Sequence, residues 1–359
     1  MNLHSLSYPV LAGIAVLAGR AQTPIDAPMS NFGIVIHGGA GTIVRKEMTP
    51  ELETQYRQKL SEALNAGYAV LEKGGSSLDA VVAAITLMED SPLFNAGKGA
   101  VLNAAGVCEL DASIMSGKNR EAGAVAGLHH IKNPILLARD VMEKSAHVMM
   151  AGDGAEVFAR GLGYELVPNE YFQTDFRRKQ LENAKKLEQE RARKASQAPA
   201  ARSERVTFVT VDDNCLIRET KFGTVGAVAV DRRGNLAAGT STGGMTNKQF
   251  GRVGDAPIIG AGTYADNATA AVSCTGHGEY FIRAGVAREV GALMEYKGLP
   301  LAAAAAGALG RAAQLGGTGG LIAIDAKGNV ALPFNTPGMY RGYRTAGKPG
   351  IVEIYGDEK

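Results

Sequence analysis

The segment TVGAVAVDRRGNLAAGTSTGG (residues 224–244) decides the fold class. Two apolar runs are joined in it by Asp-Arg-Arg-Gly-Asn, which is typical of a β-hairpin. The same design recurs in PIIGAGTYADNATAAVSCTG (residues 257–276) and in GGLIAIDAKGNVALPFNT (residues 319–336). Short strands joined by tight turns predict antiparallel sheets in the second half of the chain.

The first half of the chain adds helices to these strands. GIVIHGGAG (residues 33–41) indicates a buried strand that runs into a glycine-rich loop. Residues 50–72 carry apolar side chains at helical spacing, and Ser76 or Ser77 caps a second helix over LDAVVAAITLME. Hairpins mixed with helix pairs predict an α+β protein in which helices cover antiparallel sheets, rather than a doubly wound parallel sheet.

Composition excludes several functional classes. The chain has 359 residues, of which 45% are hydrophobic, and this is enough apolar material for a sizeable core. The formal net charge is +2 and no basic block stands out, so we expect neither a nucleic-acid partner nor a membrane partner. Cys108, Cys215 and Cys274 have neither metal-ligand spacing nor a disulfide pattern.

Residues 1–28 form an N-terminal extension with two open interpretations. The apolar run YPVLAGIAVLAG (residues 8–19) is too short to span a bilayer and fits the core of a signal peptide that ends near Ala21. That interpretation predicts a periplasmic or secreted protein. Alternatively Met29 is the true start, since a convincing strand follows at once, and the protein is then cytoplasmic.

A polar segment separates the two halves. Residues 177–220 begin with RRKQLENAKKLEQERARK, which is dense in charged residues and alanine and poor in aromatic residues. This composition predicts a flexible linker, partly helical and partly disordered.

Immediately after the linker, Gly223 meets Thr224. A threonine hydroxyl is a weak nucleophile in mid-chain, but as the first residue of a new chain it gains its own α-amine. That amine, with an ordinary pKa of about 7.7–8.0, can serve as a general base near neutral pH. Glycine offers an unhindered carbonyl, so the hydroxyl could attack it, form an ester and leave a cut chain after hydrolysis.

Several long blocks surround this junction in a specific order. They are HGGAG (37–41), SPLFNAGKGAV (91–101), ELDASIM (109–115), AGAVAGLHHIKNPILLARDVME (122–143), GRVGDAP (251–257), VSCTGHGEYFIR (272–283) and GGTGGLIAIDAKGNVALPFNTPGMYRG (316–342). Together with residues 224–244 they resemble the plant-type asparaginase and isoaspartyl peptidase family of N-terminal nucleophile (Ntn) hydrolases. The resemblance runs from Phe32 to about Tyr355, except for the linker.

The resemblance implies a four-layer αββα sandwich, the Ntn-hydrolase fold, in one catalytic domain. It implies self-cleavage of the Gly223–Thr224 bond into a large chain (residues 29–223) and a small chain (residues 224–359), assembled as a heterotetramer of two of each. Thr224 would be the nucleophile, Thr242 would orient it, and the Thr275 hydroxyl and the Gly276 N–H would face the developing oxyanion.

The resemblance also implies where substrate binds. Arg252 would pair with the α-carboxylate and Asp255 with the α-ammonium of an aspartyl head group, with Val253 and Gly254 between them. His277, Gly278 and Asn95 would also lie around the substrate, and His37 is interpreted as structural. The activity implied is hydrolysis of L-asparagine and of β-aspartyl dipeptides through an aspartyl-enzyme ester, with no organic cofactor.

The sequence also leads us to expect an ion site and leaves two alternative functions open. The resemblance implies a structural Na⁺ bound through backbone carbonyls of the loop that contains Met88, Glu89, Ser91, Phe94, Ala96 and Lys98, although Lys98 stands where an apolar residue is expected. One alternative is a glycosylasparaginase, which removes sugar-linked asparagine. The other is a non-processing binding protein on the same fold.

Overall fold

A computed structural model describes residues 31–197 and 223–358. The predictions for residues 1–28 and for the linker beyond residue 197 lie outside these ranges. Within the described residues, no helix is both long enough and apolar enough to cross a membrane.

Within residues 31–197 and 223–358 there are two sheets, and the larger has eight strands. They are β1 (Gly33–Gly41), β2 (Leu110–Ser116), β3 (Ala122–Leu128), β4 (Met149–Ala151), β5 (Val225–Val230), β6 (Leu236–Thr242), β11 (Gly338–Thr345) and β12 (Ile351–Tyr355). Their order is β12-β11-β1-β5-β6-β2-β3-β4. All neighbours are antiparallel except β3 and β4, which differ from the prediction by running parallel. The hairpin predicted at residues 224–244 forms β5 and β6, with Val225 opposite Ser241.

The smaller sheet has four strands in the order β10-β9-β8-β7. They are β7 (Thr263–Ala265), β8 (Ala270–Gly276), β9 (Gly319–Asp325) and β10 (Val330–Ala331). All its pairs are antiparallel, so the other two predicted hairpins are confirmed.

Helices cover the outer face of each sheet. The helices α1 (Pro50–Glu72), α2 (Ser77–Glu89) and α3 (Pro134–Lys144) pack on the larger sheet. The helix α4 (Gly152–Gly161) lies beside β3 and β4. The helices α6 (Gly278–Ala284), α7 (Val286–Lys297) and α8 (Leu301–Gln314) cover the smaller sheet. The Ser76 hydroxyl accepts the Asp79 N–H and caps α2, as predicted.

The alternation of side chains along the strands builds two cores. Ile34 and Ile36 of β1 pack among the helices α1 and α2, whereas Val35 packs between the two sheets. On β5, Ala227 faces the helices and Val228 faces the smaller sheet. The molecule is therefore the predicted four-layer αββα sandwich, and every second residue of its central strands points into the space between the sheets.

The first half of the predicted linker is a helix. The helix α5 (Asp175–Gln197) carries Arg177 in its first turn, and the buried Arg177 guanidinium donates from Nε to the Gly99 carbonyl at 2.7 Å. The helix agrees with the prediction that this segment is partly helical. The physical reason is that a run of Lys, Arg, Glu and Ala also suits a solvated helix once one end is anchored.

Candidate active site

The site forms at the ends of β5, β6 and β8. Thr224 directly precedes β5, Thr242 ends β6, and Gly276 ends β8. These three residues line one small cleft, and its wall also includes Gly244, Met245, Arg252, Gly254 and Asp255. The structure thus brings together residues that are up to 52 positions apart in sequence, from 224 to 276.

The two threonine hydroxyls are in contact. Thr224 Oγ1 lies 3.0 Å from Thr242 Oγ1, and Thr242 Oγ1 also accepts the Gly244 N–H at 3.0 Å. Thr242 is buried, so its hydroxyl has a fixed environment. This arrangement can hold the Thr224 oxygen in a single orientation.

Hydrogen bonds hold the carbonyl groups on both sides of the bond between Gly223 and Thr224. The Asn95 N–H donates to the Gly223 carbonyl at 3.0 Å, and His37 Nδ1 donates to the Thr224 carbonyl at 3.0 Å. A Cβ atom at position 223 would lie 2.8 Å from Asn95 Cβ and 2.9 Å from Asn95 N. Glycine at position 223 therefore permits the close approach of the Asn95 backbone.

Every polar atom of Asn95 makes a hydrogen bond. Its Nδ2 donates to the Gly244 carbonyl at 2.7 Å, its Oδ1 accepts the Val101 N–H at 2.8 Å, and its carbonyl accepts the Gly243 N–H at 3.0 Å. The side chain is almost completely buried. Asn95 therefore joins the loop after α2 to the strand end that carries Thr242.

Thr275 and Gly276 lie at the end of β8, opposite the glycine pair that begins β9. The Thr275 hydroxyl is buried and accepts the Ala40 N–H at 3.4 Å. Because Ala40 supplies a donor, the proton of the Thr275 hydroxyl remains available to donate elsewhere.

The guanidinium of Arg252 is held in a fixed orientation. Its Nε and Nη2 donate to the two carboxylate oxygens of Glu279 at 2.8 and 2.9 Å. Cβ atoms at positions 254 and 278 would each lie 2.8 Å from a guanidinium nitrogen, Nη1 and Nη2 respectively. Two glycines thus leave space on either side of the guanidinium. Burial acts to raise the pKa of Glu279, but the hydrogen bonds and the charge of Arg252 outweigh it and the pKa is lowered.

Asp255 is buried, and one of its carboxyl oxygens lacks a partner among the described residues. Its Oδ2 accepts no hydrogen bond within the described part of the chain. Burial raises the pKa of Asp255 to about 7, and the charge of Arg252 only partly opposes this. A ligand ammonium would supply both the missing donor and the missing charge.

The remaining predicted residues lie close by. Val253 is half-buried on the loop between Arg252 and Gly254. His277 is buried and precedes α6, with its backbone N–H on the Thr318 carbonyl and its Nδ1 3.3 Å from Thr318 Oγ1.

Backbone hydrogen bonds hold the loop of residues 88–98, in which an ion site was predicted. The Lys98 N–H donates to the Glu89 carbonyl at 2.7 Å, and the Ser91 N–H donates to the Met88 carbonyl at 3.2 Å. The carbonyl oxygen of Phe94 would lie 2.8 Å from a Cβ at Gly99, so this carbonyl points at the glycine. Ala96 is buried in the same loop, and the Lys98 ammonium lies 5.6 Å from the centre of the Tyr171 ring. Among residues 31–197 and 223–358, no group of three or more His, Cys, Asp or Glu side chains could hold a metal ion.

Two contacts were missed by the sequence interpretation. His37 was interpreted as structural, yet it donates to the nucleophile candidate's own carbonyl. Glu279 received no role, yet it is the partner of Arg252. Only the position of Glu279 shortly after the SCTGHG segment could have suggested its proximity to the site.

Comparison with known proteins places the chain in a family. The sequence profile of the family described as "Asparaginase" matches residues 30–354. The isoaspartyl peptidase of Escherichia coli (strain K12) is 51% identical over 328 residues, which cover 91% of this chain and 97% of that protein. The probable isoaspartyl peptidase/L-asparaginase 2 of Arabidopsis thaliana is 44% identical over 91% of this chain and 99% of its own. The isoaspartyl peptidase/L-asparaginase of Bos taurus is 41% identical over 85% and 91%. The chain therefore belongs to the asparaginase family.

Proposed function

We propose that this protein is a threonine hydrolase that cleaves β-aspartyl dipeptides and hydrolyses L-asparagine to L-aspartate and ammonia. The observation that carries the proposal is the contact of Thr224 Oγ1 with Thr242 Oγ1 at 3.0 Å, in a cleft whose wall also holds Arg252 and Asp255. The names of the relatives, isoaspartyl peptidase and L-asparaginase, support the same substrates.

The first reaction is cleavage of the chain by itself. Thr224 Oγ attacks the carbonyl carbon of Gly223, and the Asn95 N–H is aligned with the oxygen on which negative charge develops. The bond from carbon to nitrogen breaks as the acyl group moves to oxygen, the hydroxyl proton passes to the departing nitrogen, and water then hydrolyses the ester. One oxyanion donor is typically worth about 3 kcal/mol in the transition state. The products are a large chain that ends at Gly223 and a small chain with a free amine on Thr224.

The second reaction is turnover of substrate by the new N-terminus. Arg252 binds the α-carboxylate and Asp255 binds the α-ammonium, which places the side-chain acyl carbon near Thr224. The Thr224 amine takes the hydroxyl proton and later gives a proton to the leaving ammonia or amine. The proton of Thr275, left available by the Ala40 contact, and the Gly276 N–H stabilise the oxyanion. Water hydrolyses the aspartyl ester and releases L-aspartate.

The proposal extends to the ion, the assembly and the compartment. A structural Na⁺ would be bound by main-chain carbonyls of the loop around Phe94, which suits a hard cation that prefers oxygen ligands. Two large and two small chains would form a heterotetramer. The protein would be cytoplasmic if translation starts at Met29 and periplasmic or secreted if residues 1–21 are a signal peptide.

The direct test compares three substrates on one preparation. β-Aspartyl-leucine and L-asparagine should be hydrolysed, and glycosylasparagine should be a much poorer substrate. A preference for glycosylasparagine would instead establish the amidase alternative. A chain that stays uncut and binds these compounds without hydrolysis would establish the binding-protein alternative.

A further inference from the structure

Five buried side chains form one continuous hydrogen-bonded chain in the space between the two sheets. We call it the hydroxyl chain, and its members are Ser113, Thr263, Thr240, Ser273 and His37. Successive contacts are 2.8 Å (Ser113–Thr263), 2.6 Å (Thr263–Thr240), 2.7 Å (Thr240–Ser273) and 2.9 Å (Ser273–His37). All five side chains are fully buried.

The two sheets contribute alternate members of the hydroxyl chain. Ser113, Thr240 and His37 belong to β2, β6 and β1 of the larger sheet. Thr263 and Ser273 belong to β7 and β8 of the smaller sheet. Each hydrogen bond between neighbours therefore crosses from one sheet to the other.

His37 determines the direction of the three bonds of the hydroxyl chain that are nearest to it. Its Nδ1 must donate, because the Thr224 carbonyl at 3.0 Å can only accept. Burial lowers the pKa of His37 to about 3, so the ring is neutral at working pH and its Nε2 is an acceptor. Ser273 must then donate to His37, Thr240 to Ser273, and Thr263 to Thr240. The Gly262 carbonyl, 3.2 Å from Thr240 Oγ1, is a second acceptor for the Thr240 proton. The single proton of Ser113 is shared between Thr263 and the Ala256 carbonyl.

The other end of the hydroxyl chain reaches the recognition loop. Ser113 Oγ lies 2.6 Å from the carbonyl of Ala256, the residue that follows Asp255. Thr263 Oγ1 lies 3.5 Å from the same carbonyl. The hydroxyl chain thus connects the loop that carries Arg252 and Asp255 to the carbonyl of Thr224.

We propose that the hydroxyl chain positions Thr224 for hydrolysis by locking His37 in the neutral Nδ1–H tautomer that holds the Thr224 carbonyl. This proposal rests on the proposed function. Once the bond to Gly223 is cut, Thr224 loses its restraint on the N-terminal side. The bond from His37 then remains as a polar contact that holds the Thr224 backbone. A shift of about 1 Å in a reacting group can cost about 100-fold in rate.

The residue opposite His37 supports the proposal. Gly226 pairs with His37 across β1 and β5. A Cβ atom at position 226 would clash with both Ser273 Oγ and His37 Nε2. The glycine therefore leaves the space in which the Ser273–His37 bond is made.

The main experiment removes one hydroxyl group while nearly keeping the volume of the side chain. Thr240→Val is nearly isosteric and cannot donate, whereas Thr240→Ser keeps the hydroxyl. We expect kcat of Thr240→Val, normalised to processed chains on a denaturing gel, to fall at least tenfold, with KM for L-asparagine within about twofold. Thr240→Ser should stay within about threefold of wild type in kcat. If Thr240→Val folds poorly, Ser273→Ala with Ser273→Thr as its control replaces the pair, with the same expectations.

A second measurement reports the tautomer directly. ¹⁵N-histidine spectra of the wild type should show His37 as the neutral Nδ1–H form with a hydrogen-bonded Nε2, and Ser273→Ala should shift the Nε2 resonance toward that of a nitrogen that accepts no hydrogen bond. This readout remains informative if the wild type proves inactive on all three substrates, an outcome that would refute the proposed function alone. Equal activity of Thr240→Val and wild type, equal losses in Thr240→Val and Thr240→Ser, or an Nε2–H tautomer in the wild type would each overturn the positioning role.

Discussion

Substitution of Gly278 by alanine tests how the substrate head group is recognised. The added Cβ would lie 2.8 Å from Arg252 Nη2, 2.9 Å from Asp255 N and 3.0 Å from Gly254 Cα. Two of these three atoms belong to the backbone and cannot move alone, so the guanidinium must shift. A hydrogen bond to a charged group is worth about 1.5–3 kcal/mol. Loss of the Arg252 contact with the substrate carboxylate should therefore raise KM about 10- to 100-fold, because 1.4 kcal/mol is tenfold.

The assay separates this effect from catalysis and from maturation. The head group is bound alike in the ground state and the transition state, so kcat should change much less than KM. The fraction of cut chain on a denaturing gel should match wild type. Gly310→Ala in α8 is the matched control, because a Cβ there meets no atom within 4 Å. An unchanged KM for L-asparagine in Gly278→Ala would refute the proposed role of the glycine pair around Arg252.

Three further predictions concern charge and cleavage. Burial raises the pKa of Asp255 to about 7, so the affinity for L-aspartate measured by calorimetry should rise as pH rises through about 7. Asp255→Asn should bind L-aspartate weakly and without this pH dependence. A wild-type affinity that does not change with pH would argue against the pairing of Asp255 with the α-ammonium. Burial raises the pKa of Glu89 from 4.5 to about 8, so the unfolded state loses this proton first and the free energy of unfolding should fall as pH rises between those values. Chemical denaturation at several pH values should show a weaker fall of this free energy with pH in Glu89→Gln, and the same pH dependence in both proteins would contradict the shift. Gly223→Ala should accumulate uncut precursor on a gel because its Cβ would displace the Asn95 backbone, whereas cleavage at the wild-type rate would exclude Asn95 as the oxyanion donor.

The fold was largely predictable because its signals are local. Alternating apolar runs with Asp-Arg-Arg-Gly-Asn or Ala-Asp-Asn-Ala turns predict hairpins from a few neighbouring residues. The cap at Ser76 needs only the four residues that follow it. The bounds of the helix α5 were not predictable from local sequence, because its anchor is the bond from Arg177 to Gly99, 78 residues away.

The site was predictable only in part, for a physical reason. The cleft residues Thr224, Thr242, Arg252 and Asp255 lie in motifs whose resemblance could be recognised. The hydroxyl chain could not be predicted from the sequence. Its members Ser113, Thr240, Thr263 and Ser273 are ordinary strand residues, and they contact each other only because the two sheets pack face to face. The partnership of Arg252 with Glu279 likewise depends on how α6 approaches the recognition loop.

The central claim is that Thr224 becomes an N-terminus and acts as the nucleophile. Intact-mass analysis and N-terminal sequencing of the purified protein, beside Thr224→Ala, test it most directly. We expect two chains in the wild type, the smaller beginning at Thr224, and a single inactive chain in Thr224→Ala. A wild type that remains a single chain while it hydrolyses L-asparagine, or a small chain that begins at another residue, would contradict it.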